Sequence, residues 1–209
     1  MNLESLISDN MRDIPPSPIR KFFDIVKTME GAISLGIGEP DFVTPWHIRD
    51  AAISSINNGE TSYTANAGTP ELRSAVSRYL NRRFGLEYDI SQIIVTVGAS
   101  EAIDLAMRAL INPGDEVIIP DPSYISYAPN VRLVYGRAVP LPTYASDGFS
   151  ITPENLKKAI TPRTKALVLP YPNNPTGGIM TREQLALIAE VLEHTDIAVI
   201  ADEIYGELT

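Results

Sequence analysis

Ala166-Leu167-Val168-Leu169 (residues 166–169) runs directly into Pro170-Tyr171-Pro172-Asn173-Asn174-Pro175-Thr176-Gly177-Gly178 (residues 170–178). Four consecutive apolar residues without polar alternation suit a strand covered on both faces, as in a parallel sheet. The segment that follows is an irregular loop, because its prolines lack backbone donors and its glycines break regular structure. The same arrangement repeats along the chain. Apolar runs at Ile93–Val97, Glu116–Ile119, Leu133–Val139 and Ile197–Ala201 each read as a strand. Between them the spacing predicts helices: one through Ile103, Ala106, Met107 and Leu110, one near Tyr124 to Val131, and one opened by Thr152-Pro153. A last helix opens at Thr181, where Gln184 three residues on completes a capping box and Leu185, Ile188, Ala189 and Leu192 form its apolar stripe. Strands alternating with helices define an α/β fold, a mostly parallel sheet with helices on both faces, doubly wound in style.

Upstream the pattern is different. Residues 1–32 read as an amino-terminal arm, with Pro15, Pro16 and Pro18, followed by a helix from Ile19 to Met29. The expected division is therefore 1–32 as arm and small-domain segment and 33–209 as part of a larger domain. Ile33–Ile37 is a candidate short strand, and Gly36-Ile37-Gly38-Glu39-Pro40-Asp41-Phe42 is irregular. Thr44-Pro45 and Thr69-Pro70 each read as a helix start with proline in the first turn, the helices stopping at Gly59 and Gly85.

Composition excludes several classes of function. The 209 residues are 44% hydrophobic and 21% charged, the profile of a water-soluble globular protein. Seventeen Lys and Arg against 26 Asp and Glu give a formal charge of −9, which disfavours nucleic acid as a partner. Cysteine is absent and histidine occurs only at His47 and His194, so no disulfide framework, cysteine nucleophile or three-histidine metal site can form from this sequence. The sequence holds no long apolar run and no amino-terminal leader pattern, giving an expectation of a cytoplasmic protein with no membrane partner.

In an open α/β sheet, ligands bind beyond the carboxyl ends of the strands. Four such positions carry chemistry. Gly98-Ala99-Ser100-Glu101-Ala102 opens a helix whose first amides can hold a phosphate, although small residues also suit any tight strand-to-helix turn. Asp121-Pro122-Ser123-Tyr124 puts an aromatic face near that edge, Asn173 and Asn174 are held between prolines, and Asp202 ends an otherwise apolar strand. A covered Asp202 must face a cation or a protonated nitrogen, since an unpaired buried carboxylate is costly. Together these features ask for a planar phosphorylated ligand with a protonatable ring nitrogen and a hydrogen-bonding oxygen. Pyridoxal 5′-phosphate has all of these parts.

Gly38-Glu39-Pro40-Asp41-Phe42, Tyr63-Thr64-Ala65-Asn66-Ala67-Gly68, Gly98-Ala99-Ser100-Glu101-Ala102, Pro122-Ser123-Tyr124, Asn173-Asn174-Pro175-Thr176-Gly177 and Ala201-Asp202-Glu203-Ile204-Tyr205 follow one another in a familiar order. The chain resembles the amino-terminal part of fold-type I pyridoxal-phosphate enzymes, specifically the class I/II aminotransferases related to aspartate aminotransferase. The resemblance implies that the chain moves an amino group between an amino acid and a 2-oxo acid. It implies that Asp202 pairs with the ring nitrogen, Asn174 and Tyr205 with the ring's phenolic oxygen, and Tyr124 with the ring face. Ala99 and Ser100 would hold the phosphate, with Gly98 permitting the turn, and Gly38 would line the substrate carboxylate pocket. Tyr63 would reach the cofactor of a neighbouring subunit, implying a homodimer with shared active sites.

One departure stands out. The family uses a lysine, carboxy-terminal to the Asp-x-x-Tyr motif, that bonds the cofactor and moves the substrate proton. The lysines here are Lys21, Lys27, Lys157, Lys158 and Lys165, and none falls in a loop after the last strand. The 209 residues alone are therefore expected to cradle the cofactor without transaminating, and a sheet ending there leaves an edge that favours aggregation. A β- or γ-lyase of the same fold and a non-catalytic pyridoxal-phosphate-binding module, such as the sensing domain of a regulator, are the alternatives. A serine hydrolase reading of Ser100 with His194 is disfavoured, because His194 precedes a strand and lies at the opposite sheet edge.

Overall fold

The computed structural model describes residues 3–12, 14–15, 25, 29, 31 and 42–208. The chain divides into two compact units, Met1–Ile14 with Thr96–Thr209, and Pro15–Val95. The strand expected at Ile33–Ile37 and Gly38 lie outside the described residues, as do all positions of the expected helix Ile19–Met29 except Ile25 and Met29, and the boundary expected between residues 32 and 33 falls among residues that are not described.

After a helical turn α1 (Asp9–Arg12), the larger unit contains α4 (Gly98–Leu110), β1 (Glu116–Asp121), α5 (Tyr127–Leu133), β2 (Arg137–Pro142), α6 (Pro153–Ala159), β3 (Thr164–Leu169), α7 (Arg182–Leu192) and β4 (Ala198–Ala201). The four strands pair in parallel in the order β2-β1-β3-β4. Alternation along the central strands feeds two cores. Val117, Ile119, Ala166 and Val168 pack with Ile103 and Met107 of α4 and with Tyr127 and Val131 of α5. Ile118 and Leu167 point the other way, to Leu156 of α6 and Ile188 of α7. A strand buried on both faces needs this continuous apolar run, which is why β1 and β3 were legible as strands.

The amino edge of the sheet is tied by a buried charge. Glu116, 1% exposed, accepts from the Thr161 hydroxyl at 2.6 Å, Arg163 Nη2 at 2.9 Å and Arg137 Nη1 at 3.2 Å. The Thr161 hydroxyl first, then the Arg163 guanidinium, hold its carboxyl below the usual carboxylate range.

Two sequence expectations need correction. Ile93–Val97 is not a ladder strand among the described residues: Ile93 is extended (φ −116, ψ 127), Val95 N–H donates to the Ala67 carbonyl, and Ile94 and Val97 are exposed. A β-branched run favours extended backbone, but a strand also requires a neighbour to share its hydrogen bonds. The run Leu133–Val139 is split, because α5 continues through Leu133 and β2 begins only at Arg137, after a turn at Tyr135 (φ 62) and Gly136. β2 carries Pro140 and Pro142, and it is an edge strand, where proline is tolerated.

In the second unit, α2 (Trp46–Asn57) starts one residue later than the Thr44-Pro45 pair suggests, with Pro45 as its cap. In α3 (Pro70–Phe84) the Thr69 hydroxyl accepts from the Leu72 amide at 3.3 Å, and Gly85 ends the helix in the left-handed region (φ 69). Arg73 donates to the Gly68 and Ile90 carbonyls at 3.2 and 2.9 Å, pinning α3 to the flanking loops. Among the described residues no helix is long and apolar enough to cross a membrane.

Candidate active site

Parallel pairing brings the carboxyl ends of β1, β3 and β4 to one edge. In the strand order the chain leaves β1 toward β2 and returns to β3 on its other side, so the crevice between β1 and β3 is a topological switch point. A cavity of about 230 Å³ lies at this edge, lined by Ala99, Ser100, Ile103, Tyr124, Tyr127, Pro172, Asn174, Asp202, Ile204 and Tyr205. It is far larger than the ~30 Å³ share of one water molecule.

Asp202 follows β4 directly, its amide donating to the Leu169 carbonyl at 3.1 Å, which continues the strand pairing by one residue. Both of its carboxylate oxygens are held. Oδ2 accepts from the Tyr127 hydroxyl at 2.7 Å and Oδ1 from the Ile204 amide at 3.2 Å. A carboxylate offers about four acceptor positions, so two remain for a ligand. Tyr127, 2% exposed, has its hydroxyl pushed above the ordinary tyrosine range, first by burial and then by the Asp202 carboxylate, and so stays a donor. Its ring meets Tyr124 edge-on, centroids 5.6 Å apart at 82°. Asn174 Nδ2 donates to the Tyr205 hydroxyl at 3.4 Å.

Beside the cavity, α4 begins at Gly98, whose φ of 75 suits glycine. Glu101 accepts from the Val97 amide and Gly98 N–H donates to the Thr96 carbonyl at 2.9 Å. The next two amides, of Ala99 and Ser100, belong to a first helical turn and have no carbonyl partner within the helix. Two amide donors, the Ser100 hydroxyl and the positive end of a 13-residue helix thus lie together at the start of α4.

Of the residues expected from sequence, Ala99, Ser100, Tyr124, Asn174, Asp202 and Tyr205 share this cavity, with Gly98 at the adjoining helix start. Tyr63 belongs to the other unit, where it is fully exposed, and Gly38 lies outside the described residues. Sequence reasoning missed Tyr127. Its signal was local: Tyr127 follows Tyr124 by three residues, and its amide donates to the Tyr124 carbonyl at 3.3 Å in the turn that opens α5. Lys157 and Lys158 lie on α6 and Lys165 is the second residue of β3, at the strand end away from the cavity, so no described lysine lines it. His194 is exposed in the turn before β4, at the sheet edge opposite Ser100. No cluster of metal-ligating side chains occurs among the described residues.

A switch-point cavity beside a helix amino terminus, an aromatic face and a terminal strand carboxylate has the layout of a small-ligand site in an α/β protein. Residues 30–209 match the family model of aminotransferase class I and II, and the chain belongs to that family. It is 51% identical, over 99% of its length, to the YugH protein of Bacillus subtilis (strain 168), provisionally named an aminotransferase, of which it covers 54%. It is 43% identical, over 95% of its length, to the aspartate aminotransferase of Pyrococcus abyssi, covering 51% of that protein. The crystal structure of the aspartate aminotransferase from Rhizobium meliloti superposes with a TM-score of 0.91 at 39% identity, over 96% of this chain and 51% of that one. The chain thus spans about half the length of the relatives it matches.

Proposed function

We propose that this chain forms the cofactor-holding part of a pyridoxal-phosphate-dependent aminotransferase that moves an amino group between an amino acid and a 2-oxo acid. The observation that carries the reading is the Asp202 carboxylate, held on both oxygens in a cavity that Ala99 and Ser100, from the start of α4, also line. The donor set fits the group. Amides of Ala99 and Ser100, with the Ser100 hydroxyl, would take the phosphate. Tyr124 would cover one ring face, the Asn174 amide and Tyr205 hydroxyl would hold the ring's phenolic oxygen, and Asp202 would keep the proton on the ring nitrogen. When bound, pyridoxal phosphate supplies an electron-withdrawing ring that stabilises negative charge developing on an amino acid's α-carbon.

The cavity's described lining contains no lysine, so these residues bind and orient while proton movement at the α-carbon needs a lysine from elsewhere. A homodimer in which Tyr63 completes the partner's phosphate site accords with its full exposure, and we place the protein in the cytoplasm. The test is an absorbance titration of the chain with pyridoxal 5′-phosphate, alongside Asp202→Ala. Saturable binding that weakens at least tenfold in the variant is expected. Absence of binding, or equal binding by both, would refute the reading. Sedimentation of wild type and Tyr63→Ala would test the dimer.

A further inference from the structure

We propose that Asn173, the neighbour of Asn174, is a positioning residue: its buried side-chain amide clasps the loop after β3 to the loop after β1 and thereby sets Asn174 against Tyr124. The inference rests on the cofactor reading above and extends it to a residue outside the cavity wall.

Asn173 is 2% exposed. Its Nδ2 donates to the Pro122 carbonyl at 2.9 Å, reaching back 51 positions in sequence, and to Thr176 Oγ1 at 3.1 Å. Its own amide donates to the Gly178 carbonyl at 2.9 Å and its carbonyl accepts from Gly177 N–H at 2.8 Å, closing the loop on itself. One residue before Pro172, Tyr171 donates its hydroxyl to the Phe149 carbonyl at 2.8 Å, anchoring the loop from behind. Asn174 therefore follows a segment tied in two directions, and Pro122 lies two residues before Tyr124.

The side chain holds this orientation at a cost. Asn173 Oδ1 is buried without a hydrogen-bond partner, and a buried acceptor left unmet loses its solvation outright. Turning the amide over would set Oδ1 against the Pro122 carbonyl, which has no hydrogen to give, and would forfeit the bond between the loops. A residue that served only to fill space would not need a polar head here. A clasp to a backbone carbonyl of the facing loop does.

Loosening the clasp should disturb the loops that carry Asn174 and Tyr124 and leave the start of α4, to which it makes no bond, alone, which separates positioning from general stability. The full chain and Asn173→Leu, close in volume but without donors, are titrated with pyridoxal 5′-phosphate and, separately, with inorganic phosphate. Unfolding midpoints are measured on the same samples. The expected result is a folded variant with unchanged phosphate affinity and about a tenfold weaker affinity for pyridoxal 5′-phosphate, a loss of 1.4 kcal/mol. Unchanged pyridoxal-phosphate affinity, or equal losses for both ligands, would overturn the clasp while leaving the cofactor reading intact. A wild-type chain that takes phosphate but not pyridoxal 5′-phosphate would overturn both. Should Asn173→Leu fail to fold, Asn173→Asp puts an acceptor against the Pro122 carbonyl at nearly constant volume and carries the same expectation.

Discussion

Replacing Tyr127 by Phe removes one hydroxyl and leaves the ring's apolar packing in place. That hydroxyl is 2.7 Å from Asp202 Oδ2, within the short range of charge-assisted bonds. A hydrogen bond to a charged group contributes about 1.5–3 kcal/mol, so Tyr127→Phe should cost roughly 2 kcal/mol of stability. For a domain of this size that corresponds to a fall in Tm of roughly 4–8 °C. The site should suffer too, because Oδ1 keeps the Ile204 amide while Oδ2 loses the Tyr127 hydroxyl, and affinity for pyridoxal 5′-phosphate should fall about tenfold. The measurements are denaturant unfolding and ligand titration of Tyr127→Phe, Asp202→Asn and the double variant. If the bond exists, the two single effects overlap and the cycle yields a coupling of at least ~1 kcal/mol; additive effects within about 0.5 kcal/mol would refute the reasoning. A pH scan adds an independent check. Burial first, then Asp202, raise the hydroxyl's folded-state value above its unfolded one, so its contribution is complete below about pH 10 and is lost as pH rises further. Tyr127→Phe should therefore show a shallower alkaline limb than the wild type.

Three further outcomes are expected. Glu116, held low by Thr161 and Arg163, contributes stability that is present above its unfolded value and lost as pH falls through its lower folded value, so Glu116→Gln should flatten the acid limb of a stability–pH curve measured between about pH 5 and 2. Tyr135, exposed and held at φ 62, should tolerate Asn with a gain of about 0.5–1 kcal/mol in urea unfolding, since Asn is at home in the left-handed region. Gly136→Ala would put a methyl 2.7 Å from Ile111 Cγ2 and 2.9 Å from Val131 Cγ1, and should lower stability by roughly 1–3 kcal/mol in the same assay.

Legibility varied with how local the cause was. The capping box at Thr181 is satisfied as read, Gln184 N–H donating to the Thr181 hydroxyl at 3.2 Å and Thr181 N–H to the Gln184 side chain at 2.8 Å, because four residues of sequence contain the whole interaction. The runs at Glu116–Ile119 and Ala166–Leu169 became strands because burial on both faces demands the apolar composition that Val117–Ile119 and Ala166–Leu169 carry, with Glu116 satisfied by its ion pairs at the strand's start. Ile93–Val97 has the same composition without a ladder, since pairing depends on a neighbour that the run itself does not encode. Most of the expected site residues met in one cavity, because strand ends in a parallel sheet converge whatever the loops contain.

The sequence by itself determined the alternation of apolar runs and helix starts, hence the parallel α/β fold and the edge at which chemistry gathers. It also determined which residue types wait there: a carboxylate, an aromatic ring, paired amides and a small-residue turn. Only the tertiary structure decided which of them touch. Tyr127 and Asp202 are separated by 75 positions and Asn173 and Pro122 by 51, yet each pair forms a hydrogen bond under 3 Å. Periodicity records which face a residue presents, whereas the identity of the atom across from it depends on strand order and register, which arise only when the distant segments pack.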